Sequence, residues 1–308
     1  MAALIGLALG HFSGLSGFLG PWVQTLLILM LIGVFWDVPF KELKKSFGDL
    51  KFSLTSLAIN FIWIPIFGYF LAKFFLGGHF DLQIGFIMLL VTPCTDWYLV
   101  FTAMARGNVP LSASILPLNL VVQLLLLPVY LWLFGGLAGQ SDPLYILWQV
   151  VLVLFVPLLV SRVLTWVSRP RPRLGAALRR VFPGLRFWYL FLAVLCMFAG
   201  EGGGILGRPD IFVLLLAPVL AFFVLNFVAV RFAAKAMGFG FRDGVSLNLT
   251  TLARNSPVAL TVAIGAFPGR PLIALALIIG PLIELPVLAL ISNFLLRLGR
   301  RKGIPGYG

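Results

Sequence analysis

Apolar runs of roughly 17 to 25 residues follow one another along nearly the whole chain, each closed by a short polar or basic stretch. Each run is long enough to cross a bilayer as a helix, and they are too many to be one anchor on a soluble domain. The pattern predicts ten spans at about residues 2–18, 21–36, 51–76, 84–105, 111–135, 144–166, 185–200, 211–232, 245–267 and 271–297. The fold class expected is an all-α integral membrane protein. Two of the runs are interrupted. In Leu89-Leu90-Val91-Thr92-Pro93-Cys94-Thr95-Asp96-Trp97-Tyr98-Leu99-Val100 a thiol and a carboxylate follow a proline, and in Thr251-Leu252-Ala253-Arg254-Asn255-Ser256-Pro257 a cation precedes one. Proline has no N–H to donate and leaves the carbonyl four residues back without its usual partner, so both spans are expected to break there. A third polar position, Glu284, lies between Pro281 and Pro286, where a loosened backbone would admit water.

Composition agrees with the pattern. The 308 residues are 61% hydrophobic and 11% charged, well below the roughly 25% charge of soluble domains. The formal charge of +13 would suggest nucleic acid for a soluble protein. Here the basic residues gather between the runs, at Lys41, Lys44, Lys45 and Lys51, at Arg106, through the 162–186 region, at Arg231, Lys235 and Arg242, and in the tail. The alternate connections carry only Lys73, Arg208 and Arg270. The positive-inside rule then sets both termini in the cytoplasm, in the inner (plasma) membrane of a prokaryote, with lipid head groups rather than nucleic acid as the anionic partner. Nothing in the sequence indicates a protein partner. The first run lacks a basic segment ahead of it, so it is kept in the fold rather than read as a cleaved signal.

The basic stretch Ser168-Arg169-Pro170-Arg171-Pro172-Arg173 falls near the middle of the chain, and the spans form two sets of five, the second beginning at 144–166. Five is odd, so two similar halves would insert with opposite orientation, an arrangement common among secondary transporters with discontinuous helices. Leu127-Pro128-Val129 returns as Leu285-Pro286-Val287, and the same offset sets Asp96 opposite Arg254. The organisation expected is an N-terminal five-helix repeat at 1–167, a basic cytoplasmic linker at 168–184, and at 185–308 the remainder of a C-terminal repeat whose first helix is 144–166, followed by the basic tail.

Asp96 and Glu284 are the acids expected deep within spans, and Arg254 the strongly basic residue in a span interior. An ionised group in hydrocarbon needs a partner, a cavity or a pathway. Asp96 and Arg254 either pair to hold the two broken helices together or rearrange as substrate or proton binds. Glu284 is either a coupling carboxylate or a satisfied packing group. Cys94 is either a small buried hydrophobe, as Cys196 is expected to be, or a thiol exposed to a soft ligand where the helix opens. Asn119 and Gln123 lie four apart on one helical face, so they line one site or bond neighbouring helices, and Asn255 and Ser256 carry the same ambiguity. The two cysteines give no disulfide framework or zinc spacing, and neither His11 nor His79 is near the thiol in sequence, so enzymatic chemistry is not expected.

Pro93-Cys94-Thr95, Leu99-Val100, Ala105-Arg106-Gly107-Asn108, Asn119 with Gln123, and Gly280-Pro281-Leu282-Ile283-Glu284-Leu285-Pro286-Val287 together resemble the ACR3-type arsenite exporters, within the bile-acid/sodium symporter-like group of carriers. The resemblance runs from about 25 to 298. It implies ten helices in two inverted five-helix repeats with crossed discontinuous helices. It also implies efflux of trivalent arsenite, and often antimonite, in exchange for protons, with no cofactor. The family's span-four cysteine falls on Cys94, which would hold arsenic(III) as substrate, and its span-ten glutamate falls on Glu284. The chain departs from the family at Asp96-Trp97, where a small or apolar pair is usual, at Phe101, where tryptophan is usual, and at Arg254-Asn255-Ser256-Pro257, which replaces paired asparagines with a nearby acid. The rival reading is a sodium-coupled symporter of a small organic anion, with Asn119, Gln123, Asn255 and Glu284 supplying oxygens to sodium and Arg254 meeting the anion.

Overall fold

The computed structural model describes residues 22–36, 48–94, 97–136, 143–168, 209–267 and 269–306, with isolated positions at 5–19, 170 and 185–199. The expected spans 2–18 and 185–200 and the linker 168–184 fall largely outside the described residues. The helices are α1 (Trp22–Trp36), α2 (Leu50–Phe75), α3 (Phe80–Leu90), α4 (Trp97–Met104), α5 (Val109–Gly136), α6 (Pro143–Ser168), α7 (Pro209–Ala236), α8 (Phe241–Leu252), α9 (Ser256–Ala266) and α10 (Pro271–Arg301). Helices α2, α5, α6, α7 and α10 are each long and apolar enough to cross a membrane. The chain is an all-α, multi-pass membrane protein.

Its polarity is inverted relative to a soluble fold. Phe74, Leu290, Phe232 and Trp166 stand exposed on the outside, while Asn60, Asn119, Gln123, Arg254 and Glu284 are buried. Large apolar side chains around the perimeter suit hydrocarbon and not water. The tryptophans at 22, 63, 97, 132, 148, 166 and 188 are all exposed on this surface, a placement that suits interfacial anchors and lipid-facing packing.

Both expected interruptions occur: one run divides into α3 and α4, the other into α8 and α9. The expected loosening around Glu284 does not. Helix α10 runs through Pro281 and Pro286, as α5 runs through Pro117 and Pro128. Proline is tolerated within a membrane helix where neighbouring helices, side chains or water re-satisfy the freed backbone. A further irregularity lies in α2, where Ile59–Trp63, just ahead of Pro65, forms a π-helical turn and carries Asn60 inward.

Close approach of small residues holds α3 against α10. A Cβ at Gly85 would lie 2.7 Å from both Ala276 Cβ and Ile273 O, and one at Gly280 would lie 2.8 Å from Leu89 Cδ2. Glycine at these positions is what allows the two backbones to meet. The two helices also begin side by side, where Asp81 Oδ1 pairs with Arg270 Nη1 at 2.9 Å. At the other end of α10 several connections converge: Arg106 donates to Gly306 O (2.6 Å), Asn108 Nδ2 donates to Asp243 Oδ1 (2.8 Å), and Lys51 and Lys302 lie over the rings of Phe239 and Phe241. Basic residues from connections far apart in sequence therefore share one end of the bundle.

Candidate functional site: the crossing of two broken helices

Helices α3 and α8 stop at the same place. Each stop carries a threonine whose hydroxyl folds back onto its own helix. Thr92 donates to Met88 O (2.9 Å) and Leu89 O (3.1 Å), and Thr251 donates to Leu247 O (2.8 Å) and Asn248 O (3.1 Å). Beyond them the backbone extends, and the two extended stretches pair antiparallel through a bridge between Pro93 and Arg254. Cys94 N–H donates to Ala253 O (3.0 Å) and Asn255 N–H donates to Thr92 O (2.7 Å). This exchange satisfies backbone groups that an unwound segment would otherwise leave bare in an apolar interior. Helix α9 restarts at once, its first turn capped by Asn255 Oδ1, which accepts from Val258 N–H at 3.3 Å, with Pro257 in that turn.

Around this crossing the structure gathers Cys94, Arg254, Asn255, Ser256 and Glu284, all buried. Glu284 reaches in from α10, and its Oε1 accepts the main-chain N–H of Arg254 at 2.7 Å. The Arg254 side chain turns the other way. Its Nη1 donates to Leu90 O (2.7 Å), its Nε to Leu252 O (3.3 Å), and its Nη2 to Asn60 Oδ1 (3.1 Å) and to Thr251 O. The guanidinium also lies over the ring of Phe222 from α7, 5.4 Å from its centroid. Asp96 lies outside the described residues.

Asn119 and Gln123 are fully buried on α5, and among the described residues none of their four amide atoms has a hydrogen-bond partner; the Ser256 hydroxyl also lacks one. Leaving such groups unpaired costs roughly 1–3 kcal/mol each. They are thus equipped to meet water, an ion or a polar solute, and none of the four amide atoms bonds to the crossing residues. Cys196 packs in the apolar core. Among the described residues no three His, Cys, Asp or Glu side chains come together as metal ligands.

The sequence reading passes over Asn60 and Phe222 and ranks Asn226 as a weaker candidate, since it sits at no predicted break. Asn60 supplies an oxygen to Arg254, Phe222 supplies the ring beneath it, and Asn226 ties the region together, donating to Thr251 O (3.1 Å) while accepting from Trp63 Nε1 (3.2 Å). The available signal was a lone asparagine in each of two otherwise apolar runs.

A family model described as the sodium bile acid symporter family matches residues 24–208, more than half of the chain. The chain belongs to the sodium bile acid symporter family. Among its relatives is the arsenical-resistance protein Acr3 of Corynebacterium glutamicum, 27% identical over 97% of this chain and 87% of the relative. An uncharacterized transporter of Synechocystis, slr0944, is 21% identical over 94% of this chain and 84% of its own length. The uncharacterized protein YbaS of Bacillus subtilis is 23% identical over 88% and 92%. The chain is thus a member of a secondary-transporter family, related to an arsenical-resistance protein along nearly its whole length.

Proposed function

We propose that the chain exports trivalent arsenite, with antimonite as a chemical analogue, in exchange for protons. The observation that carries this reading is a buried thiol, Cys94, hydrogen-bonded by its backbone into the crossing of two broken helices, in a chain related to an arsenical-resistance protein. Arsenous acid is uncharged near neutral pH, so it needs no charged cage, and arsenic is a soft, thiol-seeking centre. Capture by Cys94 replaces one As–OH bond with As–S; the thiol proton and the departing hydroxide leave as water. One sulfur gives reversible attachment, as a carrier requires.

Glu284 is the coupling residue in this reading. It contacts the crossing through the main chain of Arg254, so its protonation alters a bond that ties α10 to the crossing. Proton entry from outside then favours release and return through differential stabilisation of the two carrier states. The matching threonine folds at the two breaks and their antiparallel pairing support an organisation of ten spans in two inverted five-helix repeats, an N-terminal one at 1–167 and a C-terminal one whose first helix is 144–166 and whose remainder, 185–308, follows the 168–184 linker. The basic end of the bundle supports a cytoplasmic placement of both termini in the inner membrane of a bacterium. A second reading, sodium-coupled symport of a small organic anion, is favoured by the unpartnered amides of Asn119 and Gln123.

The test is arsenite flux in sealed proteoliposomes under imposed proton or sodium gradients, with wild type beside Cys94→Ser and Glu284→Gln. Proton-driven flux lost in Cys94→Ser, and loss of proton dependence in Glu284→Gln, are the expected results. Sodium-driven or absent arsenite flux with Cys94→Ser unchanged would overturn the proposal in favour of the symporter.

A further inference from the structure

We infer that Arg254 is a tethered cation: its guanidinium fills an oxygen cage at the crossing that would otherwise require a mobile monovalent cation. The acceptors are Leu90 O, Thr251 O, Leu252 O and Asn60 Oδ1, all neutral oxygens. Three of them are the last carbonyls of α3 and α8, which have no helical N–H ahead of them because both helices stop there; Thr251 O is shared with Asn226 Nδ2. Two helix C-termini, each carrying partial negative charge, are thus aimed at one buried point. The fourth oxygen comes from the π-helical turn of α2, whose extra residue per turn helps bring Asn60 inward. Carbonyl and carboxamide oxygens at the ends of broken helices are a donor set suited to a small hard cation.

A guanidinium meets that set with several N–H groups in a rigid fork and keeps its charge at every physiological pH. Tethered to the chain and covered by Phe222, it cannot dissociate during a transport cycle. Glu284 does not complete the cage, since its Oε1 is bonded to the main-chain N–H of the same residue, a bond that any residue except proline at 254 would keep. The inference deepens the proposed carrier reading: the crossing is held together without a bound sodium or potassium ion, leaving proton exchange to supply the coupling.

Removing the side chain should expose the cage. Thermal unfolding of the purified full-length protein in detergent is followed in sodium, potassium or choline chloride at equal ionic strength, for wild type, Arg254→Ala and Arg254→Lys. Wild type and Arg254→Lys are expected to unfold at the same temperature in all three salts. Arg254→Ala is expected to unfold earlier in choline and to recover with rising sodium or potassium, the shift growing with the logarithm of cation concentration as for one site. Equal unfolding of Arg254→Ala in the three salts overturns the inference. So does stabilisation of wild type by sodium over choline, an arm that needs no variant to fold. Arg254→Gln, which keeps amide donors without the charge, replaces the alanine variant should that one not be recoverable, with the same expected cation dependence. No arm uses arsenite, so failure here leaves the arsenite proposal standing, and loss of the arsenite proposal leaves this result readable.

Discussion

Helices α3 and α8 run into the same crossing with opposite surfaces. Helix α3 buries Leu82, Ile84, Phe86, Ile87, Met88 and Leu89, whereas α8 buries Ser246, Asn248, Thr250 and Thr251 among its leucines. The first is held by shape, with Gly85 and Leu89 fitted against α10. The second is held by hydrogen bonds, from Asn226 to Thr251 O at its end and between Ser246 or Asp243 and Asn108 at its start. A membrane interior offers no water to repair either kind of error, but the kinds of error differ. A shape contact fails when volume is added, and a hydrogen-bonded one fails when a partner is removed. The thiol of Cys94 follows the shape-fitted helix and the guanidinium of Arg254 follows the bonded one, so each reactive group is positioned by different physics.

The largest effect expected from breaking this contrast is Gly85→Val. Its Cβ alone would approach a backbone oxygen at 2.7 Å, an approach that a rotamer change cannot relieve. Overpacking of this kind costs typically 1–3 kcal/mol and occasionally more, and this substitution belongs at the upper end. Unfolding temperature in detergent should fall sharply and arsenite flux should be lost, although the substituted residue lies outside the crossing. The same valine placed on the outward face of α2, at Phe74, should do little, because that position faces lipid.

Next comes Asn226→Leu, which tests the bonded helix. It removes the donor to Thr251 O and the acceptor for Trp63 Nε1 while keeping the number and branching of side-chain heavy atoms. A cost of about 1–2 kcal/mol is expected, read as a lowered unfolding midpoint, since two groups lose partners but one carbonyl keeps Arg254. Asn255→Ala should cost about 1 kcal/mol through loss of the α9 cap. An Asn226→Leu protein as stable as wild type would show that shape holds α8 as well.

These contrasts explain what the sequence reveals and what it hides. Both breaks are legible because proline and polar residues together interrupt apolar runs, and Cys94, Arg254 and Glu284 stand out as the rare polar groups within them. The proline rule alone misleads at Pro281 and Pro286, where α10 continues without a break. The partners of Arg254 are hidden for a different reason. Three of its four side-chain acceptors are main-chain carbonyls, which every residue carries and no pattern marks. Asn60 is hidden because its inward turn depends on a π-helical residue that ordinary helical periodicity misplaces.

The smallest expected effect is at the far end of the shape-fitted pair. Asp81 and Arg270 join the starts of α3 and α10 at 2.9 Å, and both side chains are about a quarter exposed, at 26% and 25%. Partial exposure to solvent leaves such a pair worth roughly 0–1 kcal/mol and open to screening by salt. Asp81→Asn keeps an oxygen for Arg270 and removes the charge, so it should lower the unfolding midpoint slightly at low salt and not measurably at high salt. A loss as large as that of Gly85→Val would mean that the α3–α10 contact is set from its charged end, with the glycine fit a consequence. A small, salt-sensitive loss would leave the glycine contacts as the feature that registers α3, and with it Cys94, against the helix that carries Glu284.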